Sequence, residues 1–378
     1  MRIKARLTSV GLLSALLTLC LFGGFGGAAS AHTAAAAALV VLERDSGRIL
    51  AEKDAHRRLP MASTTKIATA ITVIDRVPDL DKRIKVPKEA VGVEGSSVYL
   101  QAGEELTYRD LLYGLMLQSG NDCAAALAYL TAGDIPKFAE LMNATAEKAG
   151  AANTNFVNPH GLHHDDHYTT AYDLGRIAAY ALRHPVFAEI VAAKRYAMPW
   201  AGRDYNRIIV NKNKLLHSFA GADGVKTGFT KKAGRCLVSS ATRGGMTVVA
   251  VVLNCGPMFE ECAGLMETAF GEYARYDLAK AATAACGVTD GKSGAAKLAA
   301  KGPLYYPLKE TELGRVEYRP EAVKSLRAPV RPGQINGKMK IMLDNHLLFD
   351  ADLYTMDSIE GDTVGDKLKD LIEDWAAK

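Results

Sequence analysis

Pro60-Met61-Ala62-Ser63-Thr64-Thr65-Lys66 runs directly into a stretch where Ile67, Ala70, Ile71 and Ile74 recur at helical spacing. Apolar residues at i, i+3, i+4 and i+7 predict a helix with one buried face, and Pro78 ends the pattern. Positions i and i+3 share a helix face, so this turn sets the Lys66 amine within reach of the Ser63 hydroxyl. A serine hydroxyl is a weak nucleophile until a base takes its proton. A lysine can be that base only where burial and nearby positive charge lower its pKa. The helix start also brings backbone N–H groups to Ser63, suited to a developing oxyanion. Alone, the four-residue pattern is weak, because an N-capping serine followed by a solvated lysine reads the same way.

Working outward, Ala38-Leu39-Val40-Val41-Leu42 reads as a strand, Asp45-Ser46-Gly47 as a turn, and Arg48 to Ala51 as the returning strand of a hairpin. Helical patterns follow at about Thr107 to Met116, Cys123 to Leu130, Lys137 to Ala149 and Asp173 to Leu182. Cys236 to Ser240 and Met246 to Leu253 then read as strands flanking Arg243-Gly244-Gly245, and the apolar run from Val248 suits a buried central strand. Met258 to Arg275 returns to helical periodicity. Strands at both ends with helices between predict an α+β domain whose terminal strands share one sheet. Past about Tyr276, Pro303, Pro307, Pro320, Pro329 and Pro332 punctuate short strand candidates at Val316 to Tyr318, Lys338 to Leu343 and His346 to Phe349. Asp344-Asn345 is a hairpin turn candidate between the last two. The expected boundaries are residues 1–31 for a signal peptide, 32–274 for the α+β domain, 275–361 for a smaller β-rich domain and 362–378 for an amphipathic helix.

The signal peptide is read from Arg2, Lys4 and Arg6, an apolar run from Val10 to Phe25, and Ala29-Ser30-Ala31 as the cleavage pattern. Gly23, Gly24, Gly26 and Gly27 break that run, which argues against a membrane span. Lipidation at Cys20 is disfavoured, because Leu19 precedes it. Cleavage leaves Cys123, Cys236, Cys255, Cys262 and Cys286; a disulfide framework would leave one of these unpaired, and the spacing of Cys255 and Cys262 does not show that they meet. The 46 basic and 42 acidic residues of the 378 give a net charge of +4, with no concentrated basic patch to propose nucleic acid as a partner. At the other end, Val364, Leu368, Leu371, Ile372 and Trp375 form one apolar stripe. The helix is too short to span a bilayer; it either makes peripheral membrane contact or docks on its own β domain or a partner helix.

Two further triplets supply chemistry. Ser119-Gly120-Asn121 falls between helical stretches, where a loop can present a hydroxyl and an amide into a cleft. Lys226-Thr227-Gly228 follows Asp223-Gly224 and leads into the strand region, where an edge strand could offer backbone groups to an extended peptide. Gly228 would allow close approach to that backbone. In this order and separation the three elements are specific. They resemble the penicillin-binding-protein and serine β-lactamase superfamily. Pro60 to Lys66, Leu117 to Asp122, Asn158-Pro159-His160-Gly161-Leu162 and Asp223 to Thr230 are similar to the low-molecular-mass D-alanyl-D-alanine carboxypeptidases.

That resemblance implies a transpeptidase-like α+β fold, an antiparallel sheet with helices on both sides, followed by a small mostly-β domain. It implies Ser63 as the acylated nucleophile, Lys66 as its base and Ser119 as a proton relay to the leaving group. Asn121 would hydrogen-bond the substrate peptide, Lys226 would supply positive charge, Thr227 would bind the terminal carboxylate, and the N–H groups of Ser63 and Phe229 would form the oxyanion hole. The implied substrate is the stem peptide of peptidoglycan, with β-lactams as inhibitors and no cofactor, in an exported protein acting at the wall or the outer membrane face. One departure stands out: many relatives carry an arginine downstream of Lys-Thr-Gly, whereas Asn254 to Arg275 holds none before its last position. Carboxylate recognition then rests more on Thr227 and Lys226.

Three rivals are weighed. His160, His163, His164, Asp165, Asp166 and His167 invite a metal reading, but their spacing does not match the zinc-peptidase pattern, so no metal is expected. A β-lactamase would need a further glutamate, and the nearest match, Glu140, falls on a predicted helix. A non-catalytic wall-binding or β-lactam-sensing protein would not need all the chemical residues of the trio.

Overall fold

In the computed structural model, which describes residues 35–376, Met246–Leu253 is the middle strand of a five-stranded sheet. All its neighbours are antiparallel, in the order Ile49–Lys53, Ala38–Glu43, Met246–Leu253, Gly234–Arg243, Ala222–Thr230. The two ends of the domain meet in its centre, with Ala38 opposite Leu253 and Glu43 opposite Val248. Val249, Val251 and Leu253 enter the core on one face, and Val248, Ala250 and Val252 the core on the other. A continuous apolar run is what a strand covered on both faces requires. The Gly244-Gly245 turn takes φ +55° and +77°, the left-handed pair that a two-residue hairpin needs. The expected signal peptide lies outside the described residues.

One face of the sheet carries most of the helices, among them Lys66–Ile74, Asn121–Ala132, Ile135–Lys148 and Ala171–Leu182. Met258–Glu272 covers the other face. That helix stops short of its expected end, because Ala274–Asp277 turns into a strand paired with Tyr305–Leu308. Every residue of Lys66–Ile74 is buried, its polar ones included. The Thr69 hydroxyl donates to the Pro159 carbonyl at 2.6 Å and that of Thr72 to Thr145 at 3.0 Å. Buried polar groups on a central helix are tolerated only when bonded in this way. All five described cysteines are buried free thiols, Cys255 and Cys262 included.

The second sheet has six strands in the order Val316–Ala322, Ile335–Leu343, His346–Thr355, Ala295–Ala300, Thr283–Thr289, Ser325–Arg327. Its core gathers Leu298, Met339, Ile341 and Leu353. Three strands expected to be short are longer here, and Asp344-Asn345 makes the expected turn with φ +49° and +64°. The closing helix, Val364–Ala376, is tied at its start by Lys367 to Asp290 at 2.9 Å. Its apolar stripe faces out: Val364, Leu368, Ile372 and Trp375 are all exposed. Among the described residues no helix is long and apolar enough to cross a membrane.

Arg48 ties the five-stranded sheet to the strand Tyr305–Leu308 and the 3-10 turn that follows it. Its guanidinium bonds both carboxylate oxygens of Glu312, at 2.9 and 2.5 Å, and the Pro307 carbonyl at 2.6 Å. The rings of Tyr273 and Tyr306 lie 5.1 and 5.5 Å from it. Planar bidentate pairing between aromatic faces suits arginine and not lysine. Glu312→Gln leaves the guanidinium without its counter-charge and is expected to lower stability by about 2–3 kcal/mol, read as a reduced urea midpoint; an unchanged midpoint would show that the pair contributes nothing.

Candidate active site

The site is assembled where a tight turn feeds the buried helix. Ser63 sits in the 3-10 turn Ala62–Thr65, which continues into Lys66–Ile74. Lys66 has no exposed surface, and its Nζ lies 3.2 Å from Ser63 Oγ, 2.7 Å from Asn121 Oδ1 and 2.6 Å from the His160 carbonyl oxygen. Burial pushes the Lys66 pKa well below that of an ordinary lysine, and the nearby Lys226 ammonium pushes it further. Once deprotonated, the amine would have two N–H groups for the two carbonyl-type oxygens and one lone pair for the Ser63 hydroxyl.

Both oxygens come from elements far away in the chain. Asn121 opens the helix Asn121–Ala132, just after a π-helical turn, Gly114–Gln118, that ends with Ser119 in the left-handed region at φ +68°. Asn121 Nδ2 donates to the Glu94 carbonyl at 2.5 Å, which settles the amide's orientation and aims Oδ1 at Lys66. Next to it, buried Asp122 accepts from the Ser97 hydroxyl and from the N–H groups of Val98 and Leu100. That carboxylate clamps the loop forming the cleft wall.

The second oxygen comes from the Asn158 to Leu162 loop. Asn158 Oδ1 accepts from the N–H groups of Gly161 and His160 at 2.7 and 3.2 Å, and its Nδ2 donates to the Leu162 carbonyl. Gly161 has φ +86°, and a Cβ there would overlap the Ala62 carbonyl, so only glycine lets the loop press on the nucleophile turn. His167 supports the turn from behind. Its Nδ1 accepts from Val157 N–H, leaving Nε2–H to donate to Thr65 Oγ1 at 2.8 Å. Burial lowers the His167 pKa to about 3 and that of His160 to about 4. The six-residue cluster is thus split, with these two buried and His163 and His164 beside Asp165 and Asp166 at the surface.

The edge strand Ala222–Thr230 forms the opposite wall. Gly228 serves more than substrate approach: a Cβ there would come 3.0–3.1 Å from Met61 O, Ser63 N and Thr64 N. The strand can therefore lie directly against the nucleophile turn. Lys226 is buried beside it and donates to the Thr227 carbonyl at 3.1 Å. Burial, assisted by Lys212, lowers its pKa to about 7. Between the walls is a cleft of ≈ 310 Å³ lined by Ser63, Ser119, Thr227, Gly228 and the exposed Phe229. Residues not foreseen also line it: Ser96, Lys212, Met258 and Phe259. Glu140 lies exposed on Ile135–Lys148.

Comparison with known proteins adds the following. Residues 26–256 match the family described as D-alanyl-D-alanine carboxypeptidase, and residues 279–361 match the penicillin-binding protein 5 C-terminal domain. The chain is 30% identical over 355 residues to D-alanyl-D-alanine carboxypeptidase DacF of Bacillus subtilis, spanning 91% of this chain and 90% of that one. It is 35% identical over 239 residues to DacB2 of Mycobacterium tuberculosis, spanning 61% of this chain and 81% of the relative. The crystal structure of penicillin-binding protein 5 from Haemophilus influenzae superposes with a TM-score of 0.69 at 28% identity, covering 86% of this chain and 98% of that one.

The two lysines give opposite pH limbs. Ser63 acylation by benzylpenicillin is expected to rise with pH as Lys66 loses its proton, a rise complete well below the usual lysine range. It is expected to fall as pH passes about 7, where Lys226 loses its charge. Lys226→Arg keeps that charge and should move the fall to higher pH. A wild-type rate still climbing at alkaline pH would overturn the assignment.

Proposed function

We infer the role of each side chain from one premise: this chain belongs to the D-alanyl-D-alanine carboxypeptidase family of penicillin-binding proteins, and it is a D-alanyl-D-alanine carboxypeptidase acting in peptidoglycan metabolism. Ser63 Oγ attacks the carbonyl carbon of the penultimate D-alanine in a stem pentapeptide, and Lys66 takes the hydroxyl proton. The N–H groups of Ser63 and Phe229 hold the oxyanion. The C–N bond then breaks, Ser119 passes a proton to the departing amine, and free D-alanine leaves an ester on Ser63. Water hydrolyses that ester and regenerates the hydroxyl. The single observation carrying this reading is the buried Lys66 amine, 3.2 Å from Ser63 Oγ, whose two other partners, Asn121 Oδ1 and the His160 carbonyl oxygen, are both acceptors.

Asn121 contributes a side-chain amide to the substrate peptide, while Thr227 and Lys226 receive the terminal carboxylate. A β-lactam acylates the same serine and lingers there as an ester. Intact-mass measurement after benzylpenicillin should find one adduct on the wild type and none on Ser63→Ala; labelling of both removes Ser63 as the nucleophile.

The protein acts outside the cytoplasm, exported by residues 1–31, where its substrate is found. The closing helix holds it loosely on the membrane surface. The exposed stripe of Val364, Leu368, Ile372 and Trp375 supports this, since an undocked apolar face on an amphipathic helix favours an interface. Full-length protein should co-sediment with phosphatidylethanolamine–phosphatidylglycerol vesicles more than a variant lacking residues 362–378. Equal sedimentation would end the membrane reading.

A further inference from the structure

Away from the cleft, a cavity of ≈ 390 Å³ opens at the opposite end of the sheet. Its lining includes Arg243 at the hairpin end of Gly234–Arg243, Phe270 and Tyr273 at the close of Met258–Glu272, and Arg275 on Ala274–Asp277. Val238 stands opposite Lys226, and Arg243 lies five residues further along the same strand. At about 3.4 Å per residue, roughly 17 Å separates this cavity from the catalytic wall. The catalysis described above uses none of these residues.

The cavity holds two guanidinium groups in opposite states. That of Arg243 is fully engaged. It bonds both oxygens of Glu267 at 3.0 and 2.9 Å and the Ala220 carbonyl at 3.0 Å, near the rings of Phe219 and Phe270. The half-buried Arg275 makes no hydrogen bond or ion pair among the described residues. Its guanidinium is held against Tyr305, with Cζ 3.5 Å from the ring centre, and a Cβ on Gly245 would come 2.7 Å from its Nη1. A guanidinium pressed on a ring face keeps its N–H groups for an oxyanion. The Asp45 carboxyl is held below its usual range first by its hydrogen bond from Arg44, then by the charges of Arg44, Arg183 and Arg275. Both Asp45 oxygens are already taken by Arg44, at 2.8 and 3.0 Å. Arg275 is thereby left without a counter-charge of its own.

We propose that this cavity binds a phosphate ester, with the Arg275 guanidinium on the phosphoryl oxygens and the organic part against Phe270 and Tyr273. The site is independent of the carboxypeptidase reading. Arginine suits phosphate because its planar fork meets two oxygens at once. The volume exceeds what a bare ion fills and falls in the range of small-molecule pockets. The aromatic walls give the carbon skeleton of an ester a surface that inorganic phosphate would leave bare. Such a group could be carried by a soluble ester or by a lipid headgroup.

The test is calorimetric titration of the full-length protein with sn-glycerol 3-phosphate, with acetate as the carboxylate control. The ester should bind saturably, and acetate about tenfold or more weakly. Arg275→Gln should weaken the ester about tenfold or more. Asp45→Asn should tighten it about threefold, because a charge opposing the ligand is gone. Both variants should acylate Ser63 with benzylpenicillin at the wild-type rate, which shows that they are folded. Flotation with vesicles of phosphatidylglycerol in phosphatidylcholine separates the sources: less flotation of Arg275→Gln than of wild type assigns the lipid headgroup, and equal flotation beside saturable glycerol 3-phosphate binding assigns a soluble ester. No saturable binding together with equal flotation overturns the site. So does acetate binding as tightly as the ester, or an affinity that neither substitution moves.

Discussion

A lysine with no exposed surface constrains everything around it. The charged form of Lys66 is penalised inside the protein, which lowers its pKa well below the usual lysine range, and its buried N–H groups must each find an oxygen. No single segment supplies them. Asn121 comes from the start of one helix and the His160 carbonyl from an irregular loop, and both must reach the same point within hydrogen-bonding distance. The Asp122 clamp, the Asn158 side chain bridging its own loop and the missing Cβ of Gly161 all serve that convergence. Lys66 is thus both the base of the proposed reaction and the group around which the walls are hung.

The edge strand completes the arrangement from the opposite side. Lys226 shares the penalty of burial, and its charge is one cause of the lowered Lys66 pKa. The site asks one of these neighbours to act as an amine and the other as an ammonium. That division of labour needs the strand to lie against the nucleophile turn without a side chain between them, which Gly228 allows.

Much of this was legible in the sequence because periodicity and motif agreed. The run Val248 to Leu253 announced a strand buried on both faces, and Gly244-Gly245 its turn. The trio Ser63-Lys66, Ser119-Asn121 and Lys226-Gly228 is brought into one cleft. Other features left no readable signal. Thr283–Thr289 and Ala295–Ala300 are alanine-rich, with side chains too small to show a two-residue alternation. The hairpin Arg195–Met198 with Arg207–Val210 is too short to stand out. Met258–Glu272 ended early because Ala274–Asp277 pairs across the chain, and pairing of that kind is tertiary. The His160 carbonyl escaped notice for a deeper reason: a backbone oxygen has no letter in a sequence. Gly161 was its only trace, within a motif that suggested kinship before it suggested a contact.

The pairing of Ala38–Glu43 with Met246–Leu253 also governs when this protein can come into being. A chain emerging from a ribosome presents its first strand long before the partner exists, with roughly two hundred residues between them. The entropy of closing so long a loop must be met before any of the sheet's contacts return it. Ser63 and Lys66 are therefore made early and remain inert, since Lys226 and the strand that seats it arrive late. Arg48 waits longer still, solvated until Glu312 is made. The site can assemble only once Met246–Leu253 has been made, so a product truncated before that strand carries the nucleophile without the means to use it.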